Sequence, residues 1–112
     1  MGYAVRTILT SVMIVTGSLS ALAEVRCPAS LESFAYARAS VFDGPPEEQA
    51  DLVPDSQKGG TDTWRVGGIF NSGRVPYLVC RYQGTARTVS FQLQRPATVC
   101  LAPQRRGTAF CR

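Results

Sequence analysis

Four cysteines and no histidine in a chain of 112 residues set the narrowest limits on what this sequence can become. The amino-terminal stretch decides how the cysteines are read. Arg6 supplies a positive start, Ile8 to Val15 an apolar core, and Ala21-Leu22-Ala23 a small-residue cleavage signal, so residues 1–23 read as a signal peptide and residues 24–112 as one small domain. The apolar core, about eight residues, falls short of the ~20 that a membrane span needs. No cysteine follows the small residues directly, as a lipid anchor would require; Cys27 lies inside the mature chain. The expected product is therefore a periplasmic or secreted protein with no membrane anchor after cleavage. In an oxidising compartment Cys27, Cys80, Cys100 and Cys111 read as two disulfides, which a domain of this size needs because its core alone is marginal. Four cysteines allow three pairings. The preferred one joins Cys80 to Cys100 and Cys27 to Cys111, the second tying together the two ends of the domain.

The absence of histidine removes the Ser-His-Asp and Cys-His mechanisms and the commonest zinc ligand. No C-x-x-C pair and no phosphate-binding glycine loop occurs, so neither a metal, a redox dithiol nor another cofactor is expected. One catalytic arrangement remains to be weighed. Glu47, Asp51 and Asp55 stand at i, i+4 and i+8, and would share a face if a helix ran that far, as a carboxylate hydrolase would need. They lie in a polar, proline-flanked stretch with nothing apolar to desolvate them, which favours a solvated surface over a catalytic set. The expectation is a protein that is not an enzyme.

Charge is divided along the chain. Residues 24–62 hold all eight acids and three bases, whereas residues 63–112 hold eight arginines and no acid. Either one face of the molecule is basic, or the acidic segment packs against the basic one.

The pattern predicts a mainly β fold: a small disulfide-stapled antiparallel sheet or sandwich with one short helix. Alternation from Phe34 to Phe42 indicates a strand with Phe34, Tyr36, Arg38, Ser40 and Phe42 on one face. Asp43-Gly44-Pro45-Pro46-Glu47-Glu48 turns into a helix over residues 46–52 that ends before Pro54. Residues 62–70 read as a strand carrying Trp64 as a core anchor, bulged at Gly67-Gly68, with a turn at 71–73. Residues 75–83 and 86–95 form the clearest hairpin, closed at Gly84-Thr85. In that register Leu78 opposes Phe91 and Cys80 opposes Val89, while Tyr77, Val79 and Arg81 lie on the outer face beside Thr88, Ser90 and Gln92. A slip by one residue would expose Phe91 and Leu93. Strands over 97–102 and 107–111 complete the domain.

With no catalytic set, the surface groups point to a protein partner. The stiff acidic turn (Asp43, Pro45, Pro46, Glu47, Glu48) and the aromatic-basic pair Tyr77 and Arg81 are the candidate binding residues, since aromatic and arginine side chains dominate interface energetics. Trp64-Arg65 and Arg81-Tyr82 could stack on nucleic acid, but export argues against that partner.

The segments Val41-Phe42-Asp43-Gly44-Pro45-Pro46-Glu47-Glu48, Leu52-Val53-Pro54-Asp55 and Tyr77-Leu78-Val79-Cys80-Arg81-Tyr82 with Gly84-Thr85 resemble a family of short exported proteobacterial proteins, some of them encoded near type VI secretion loci. The resemblance spans residues 25–101, and departs where Gln94-Arg95-Pro96 leads straight into Ala97-Thr98-Val99-Cys100. It assigns no activity to any residue. It implies a protein-binding or inhibitory module such as an immunity protein against a cell-wall-degrading effector, with a peptidoglycan hydrolase as partner. A lysozyme-inhibitor-like protein, the small hydrolase above and a structural envelope protein are the alternatives.

Overall fold

The computed structural model describes residues 24–112; the signal-peptide reading of residues 1–23 lies outside them. Eight strands form two antiparallel four-stranded sheets. The first has the order β1-β8-β7-β4, built from Val25–Arg26, Phe110–Cys111, Val99–Pro103 and Thr61–Arg65. The second has the order β2-β3-β5-β6, built from Ser30–Leu31, Phe34–Asp43, Pro76–Tyr82 and Thr88–Gln92. The expected mainly β architecture with one short helix, α1 (Gly67–Asn71), is what the chain adopts.

One buried cluster draws on both sheets. Trp64, Cys100, Ala102 and Cys111 meet Val41, Leu78, Cys80 and Tyr82, so the core lies between the sheets. The hairpin fixes one wall. Its register pairs Leu78 with Phe91 and Cys80 with Val89, as the alternation requires, and Leu78, Cys80 and Tyr82 are buried while Thr88, Ser90 and Gln92 are exposed. The ladder stops at Arg81–Thr88, so the connection is wider than the two-residue turn that the sequence suggests. A strap over residues 50–56 joins the sheets along one side. Leu52 N–H donates to Val41 O at 2.9 Å, Trp64 Nε1 donates to Leu52 O at 3.0 Å, and Ser56 bridges Thr63. Trp64 is 4% exposed and anchors the core as expected.

The cysteines pair differently from the preferred reading: Cys27 with Cys80 and Cys100 with Cys111. Strand order is the reason. Cys100 and Cys111 are direct partners across β7 and β8. Cys27 follows β1 on the first sheet and meets Cys80 on β5 of the second, so this bridge joins the two sheets. The ends of the domain do meet, but through the β1–β8 ladder, where Val25 pairs with Cys111. In the chain-entropy picture, closing 53 residues stabilises by about 4 kcal/mol and closing 11 by about 3 kcal/mol.

Three local expectations also change. The alternation of β3 breaks at a bulge between Tyr36 and Arg38. Before it Phe34 and Tyr36 pack against the core; after it Ala39 and Val41 do, which sends Arg38, Ser40 and Phe42 to the outer face. The helix expected over 46–52 is a single 3-10 turn, Pro46–Glu48, stopped by Gln49 in the left-handed region at φ 60°. The strand expected over 62–70 ends at Arg65, and Gly67–Asn71 coil into α1, with Val66, Ile69 and Phe70 at helical spacing turned toward the core.

Candidate interaction surface

Asp43 ends β3, and the turn after it is fastened from several sides. Asp43 N–H donates to Ala50 O and Gly44 N–H to Val75 O, each at 3.0 Å. Arg74, just before β5, then crosses the turn: Nε donates to Asp43 Oδ1 at 2.8 Å, and Nη2 donates to Asp43 O at 2.9 Å and to Glu48 Oε1. These acceptors, Asp43 first and then Glu48, hold the Arg74 guanidinium above its ordinary pKa. The crossing needs glycine beneath it. Gly44 sits at φ 102°, and a Cβ there would run into Arg74 Nη2. Pro45 and Pro46 stiffen the same turn. Glu47 points to solvent, with no salt-bridge partner among the described residues.

Tyr77 stands beside this turn, because Phe42 pairs with Tyr77 and Asp43 with Pro76 across β3 and β5. Its hydroxyl donates to Gln92 Oε1 at 3.1 Å. Arg81 lies on the same outer face but four residues farther along, about 13 Å at strand rise, where Nε donates to Ser40 Oγ at 3.1 Å. The structure therefore gathers Asp43, Pro45, Pro46, Glu47, Glu48 and Tyr77 at one end of the second sheet, with Arg81 toward the other end of that face. Arg74, the clamp, is missed by sequence reasoning; nothing in Gly73-Arg74-Val75 signals that its side chain reaches back 31 residues to Asp43.

The carboxylate array does not form. Glu47 is in the 3-10 turn, Asp51 is in an extended bridge with Phe42, and Asp55 accepts the Arg65 backbone N–H at 2.6 Å. These three therefore share no helical face, and the spacing argument for a carboxylate hydrolase fails. Among the described residues no group of three metal-binding side chains comes together, and no helix is long and apolar enough to cross a membrane.

Nor does the division of charge along the chain become two faces. β3 pairs with β5, and Arg74 meets Asp43 and Glu48 while Arg87 meets Glu32 at 2.7 Å, so acids of the first half are answered by arginines of the second. The hydrogen bond from Arg87 holds the Glu32 carboxyl below its ordinary value. Two of the arginines without a carboxylate, Arg105 and Arg106, stand exposed side by side at the connection between β7 and β8.

A family model described as "Type VI secretion system Tli immunity protein" matches residues 30–111. No curated protein and no solved structure matches the chain.

Proposed function

The chain belongs to the type VI secretion system Tli immunity protein family, and from that premise we propose that it is exported to the periplasm, where it binds and neutralises a cell-wall-degrading effector without catalysis of its own. Binding a partner effector is the business of the family; to that we add the compartment, the effector's chemistry and the contact residues. Two disulfides support the compartment, since such bridges persist in oxidising surroundings. The residue pattern 1–23 supports the route there.

The observation that carries the mode of binding is the clamped turn. A loop whose acids, prolines and glycine are fixed before the partner arrives loses little conformational freedom on docking. Arg74 holds Asp43 and Glu48 but cancels only one of their two charges, so the turn stays acidic, and Glu47 is its one carboxylate with no salt-bridge partner among the described residues. Glu47 then enters a basic cleft of the effector while Pro45, Pro46 and Tyr77 pack around it and exclude water, and Arg81 extends the contact along the sheet. Inhibition is occlusion of the cleft.

The test pairs the purified protein with the effector encoded beside its gene. Peptidoglycan and phospholipid, the two polymer and lipid substrates within reach of a periplasmic toxin, are both offered. The expected result is peptidoglycan breakdown that stops at one equivalent of protein and resumes with Glu47→Lys/Tyr77→Ala. Hydrolysis of phospholipid alone would overturn the cell-wall assignment, and an effector that the protein neither binds nor slows would overturn the reading as a whole.

A further inference from the structure

The β7–β8 connection, Pro103 to Gly107, is fixed at both ends. Gln104 N–H donates to Gly60 O at 2.8 Å, and the buried Thr108 hydroxyl donates to Cys27 O at 2.6 Å. Three adjoining hollows open around it, and Pro103 and Gln104 border all three. The largest, about 520 Å³, lies between Gly59-Gly60-Thr61 and Arg105-Arg106. The next passes between Arg38 and Asp62, and the third runs on past Arg105 to Gln83. Sharing Pro103 and Gln104, they make a trough along the gap between β3 of the second sheet and the end of β7 in the first.

The charges here are uncommitted. Elsewhere Arg26, Arg74 and Arg87 have carboxylates, Arg81 has Ser40, Arg95 donates to Phe70 O at 2.8 Å and Arg112 lies over the Phe110 ring, while Arg65, outside the trough, has no salt-bridge partner among the described residues. Arg38, Arg105 and Arg106 have no salt-bridge partner among the described residues. The single acid in the trough, Asp62, is held by Gln57 Nε2 at 3.1 Å and Gln104 Nε2 at 3.5 Å, so it answers none of the three arginines. Three cations against one anion leave the walls at +2.

We propose that this trough receives an acidic segment of the partner effector, a run of aspartate or glutamate side chains seated between Arg105, Arg106 and Arg38. The proposal rests on the effector-binding reading above and adds a second contact to it, at the opposite end of β3 from the clamped turn. Guanidinium groups take carboxylates through paired N–H donors, and the anchored ends of the connection hold these groups in place in advance. The glycines at 59 and 60 leave the opposite wall bare, open to an approaching backbone. The concave shape speaks for a polypeptide segment over a lipid surface, which takes larger basic clusters presented outward.

The experiment follows backbone amides of the oxidised protein by NMR while a short oligo-glutamate peptide is added, and then measures affinity for the effector encoded beside the gene. Shifts are expected at Gly59, Gly60 and Gln104 to Gly107. Arg105→Glu/Arg106→Glu, with an otherwise unchanged spectrum, is expected to lose those shifts and to weaken effector binding roughly tenfold, mostly through the association rate and less at high salt. Arg105→Lys/Arg106→Lys should recover part of the loss, since charge returns without the paired donors. Unchanged effector binding by the double glutamate variant would overturn the proposal alone. Peptide binding with no effector binding would overturn the reading beneath it. Stronger shifts at the same amides from phosphatidylglycerol vesicles or single-stranded DNA than from the peptide would replace the acidic segment with that other polyanion and overturn the proposal as stated.

Discussion

Two connections stand at opposite ends of the molecule and use arginine in opposite ways. At the end of β3, Asp43 to Glu48 is clamped by Arg74, whose guanidinium is consumed in holding two carboxylates and a carbonyl. At the end of β7, Pro103 to Gly107 is held by its backbone and by Thr108, and its two arginines stay free. The first connection trades charge for shape; the second keeps its charge because other groups supply the shape. A charged residue counts toward recognition only after its internal partners have been subtracted, and by that measure the acidic turn offers Glu47 and the one charge that Arg74 leaves uncancelled on Asp43 and Glu48, while the basic connection offers Arg105 and Arg106.

Both connections hang from one rigid body, and the disulfides test that first. Replacing Cys27 and Cys80 by alanine should cost about 4 kcal/mol in denaturant unfolding and loosen both ends together, because that bridge joins the sheets. Replacing Cys100 and Cys111 should cost about 3 kcal/mol. Equal spectra at both ends after loss of the Cys27–Cys80 bridge would mean that the sheets hold together without it.

Gly44→Ala should cost less, about 1–2 kcal/mol, since alanine is strained at φ 102° and its Cβ displaces Arg74. Its sharper signature is local: hydrogen exchange at Asp43 and Gly44 should quicken while Gln104 and Gly107 keep their rates. Exchange that quickens at both ends would show the two connections to be coupled.

The smallest effect is at alkaline pH. Tyr36 borders the trough, and burial, against a hydrogen bond from the Ala109 backbone, raises its pKa. The folded state therefore keeps the proton that the unfolded chain gives up near pH ~10, so the stability this tyrosine adds is full below that pH and falls away as pH rises through the folded value. Tyr36→Phe should flatten that alkaline decline in thermal unfolding. An identical slope would assign the decline to Tyr82, whose pKa burial also raises.

How much was legible in the sequence follows from the range of the forces involved. The register of the β5–β6 hairpin, though not the width of its connection, could be read to the residue, because Leu78, Cys80, Val89 and Phe91 lose their burial together if the register slips. The 3-10 turn at Pro46 was legible as the start of a short helix, but its end at Glu48 was not; Asp51 pairs with Phe42 across the chain, and no local signal announces that bridge. Val66, Ile69 and Phe70 carried a helical signal that the neighbouring strand pattern masked. The β3 bulge was hidden because alanines at 35, 37 and 39 suit either face. The cysteine pairing depends on which strands become neighbours, which spacing does not encode. The seven candidate binding residues were legible as a turn and a strand face, yet the clamp that decides which of their charges remain free lies at Arg74, outside every motif.

The measurement that bears most directly on the central claim, a rigid two-sheet body that meets its effector through the connections at both ends of β3, is hydrogen–deuterium exchange of the oxidised protein with and without the effector encoded beside its gene. The account predicts new protection in residues 43–48 and 76–82 and in residues 59–60 and 103–107, with the exposed edge strand β6 unchanged. Protection confined to β6, or spread evenly over both sheets, would contradict it.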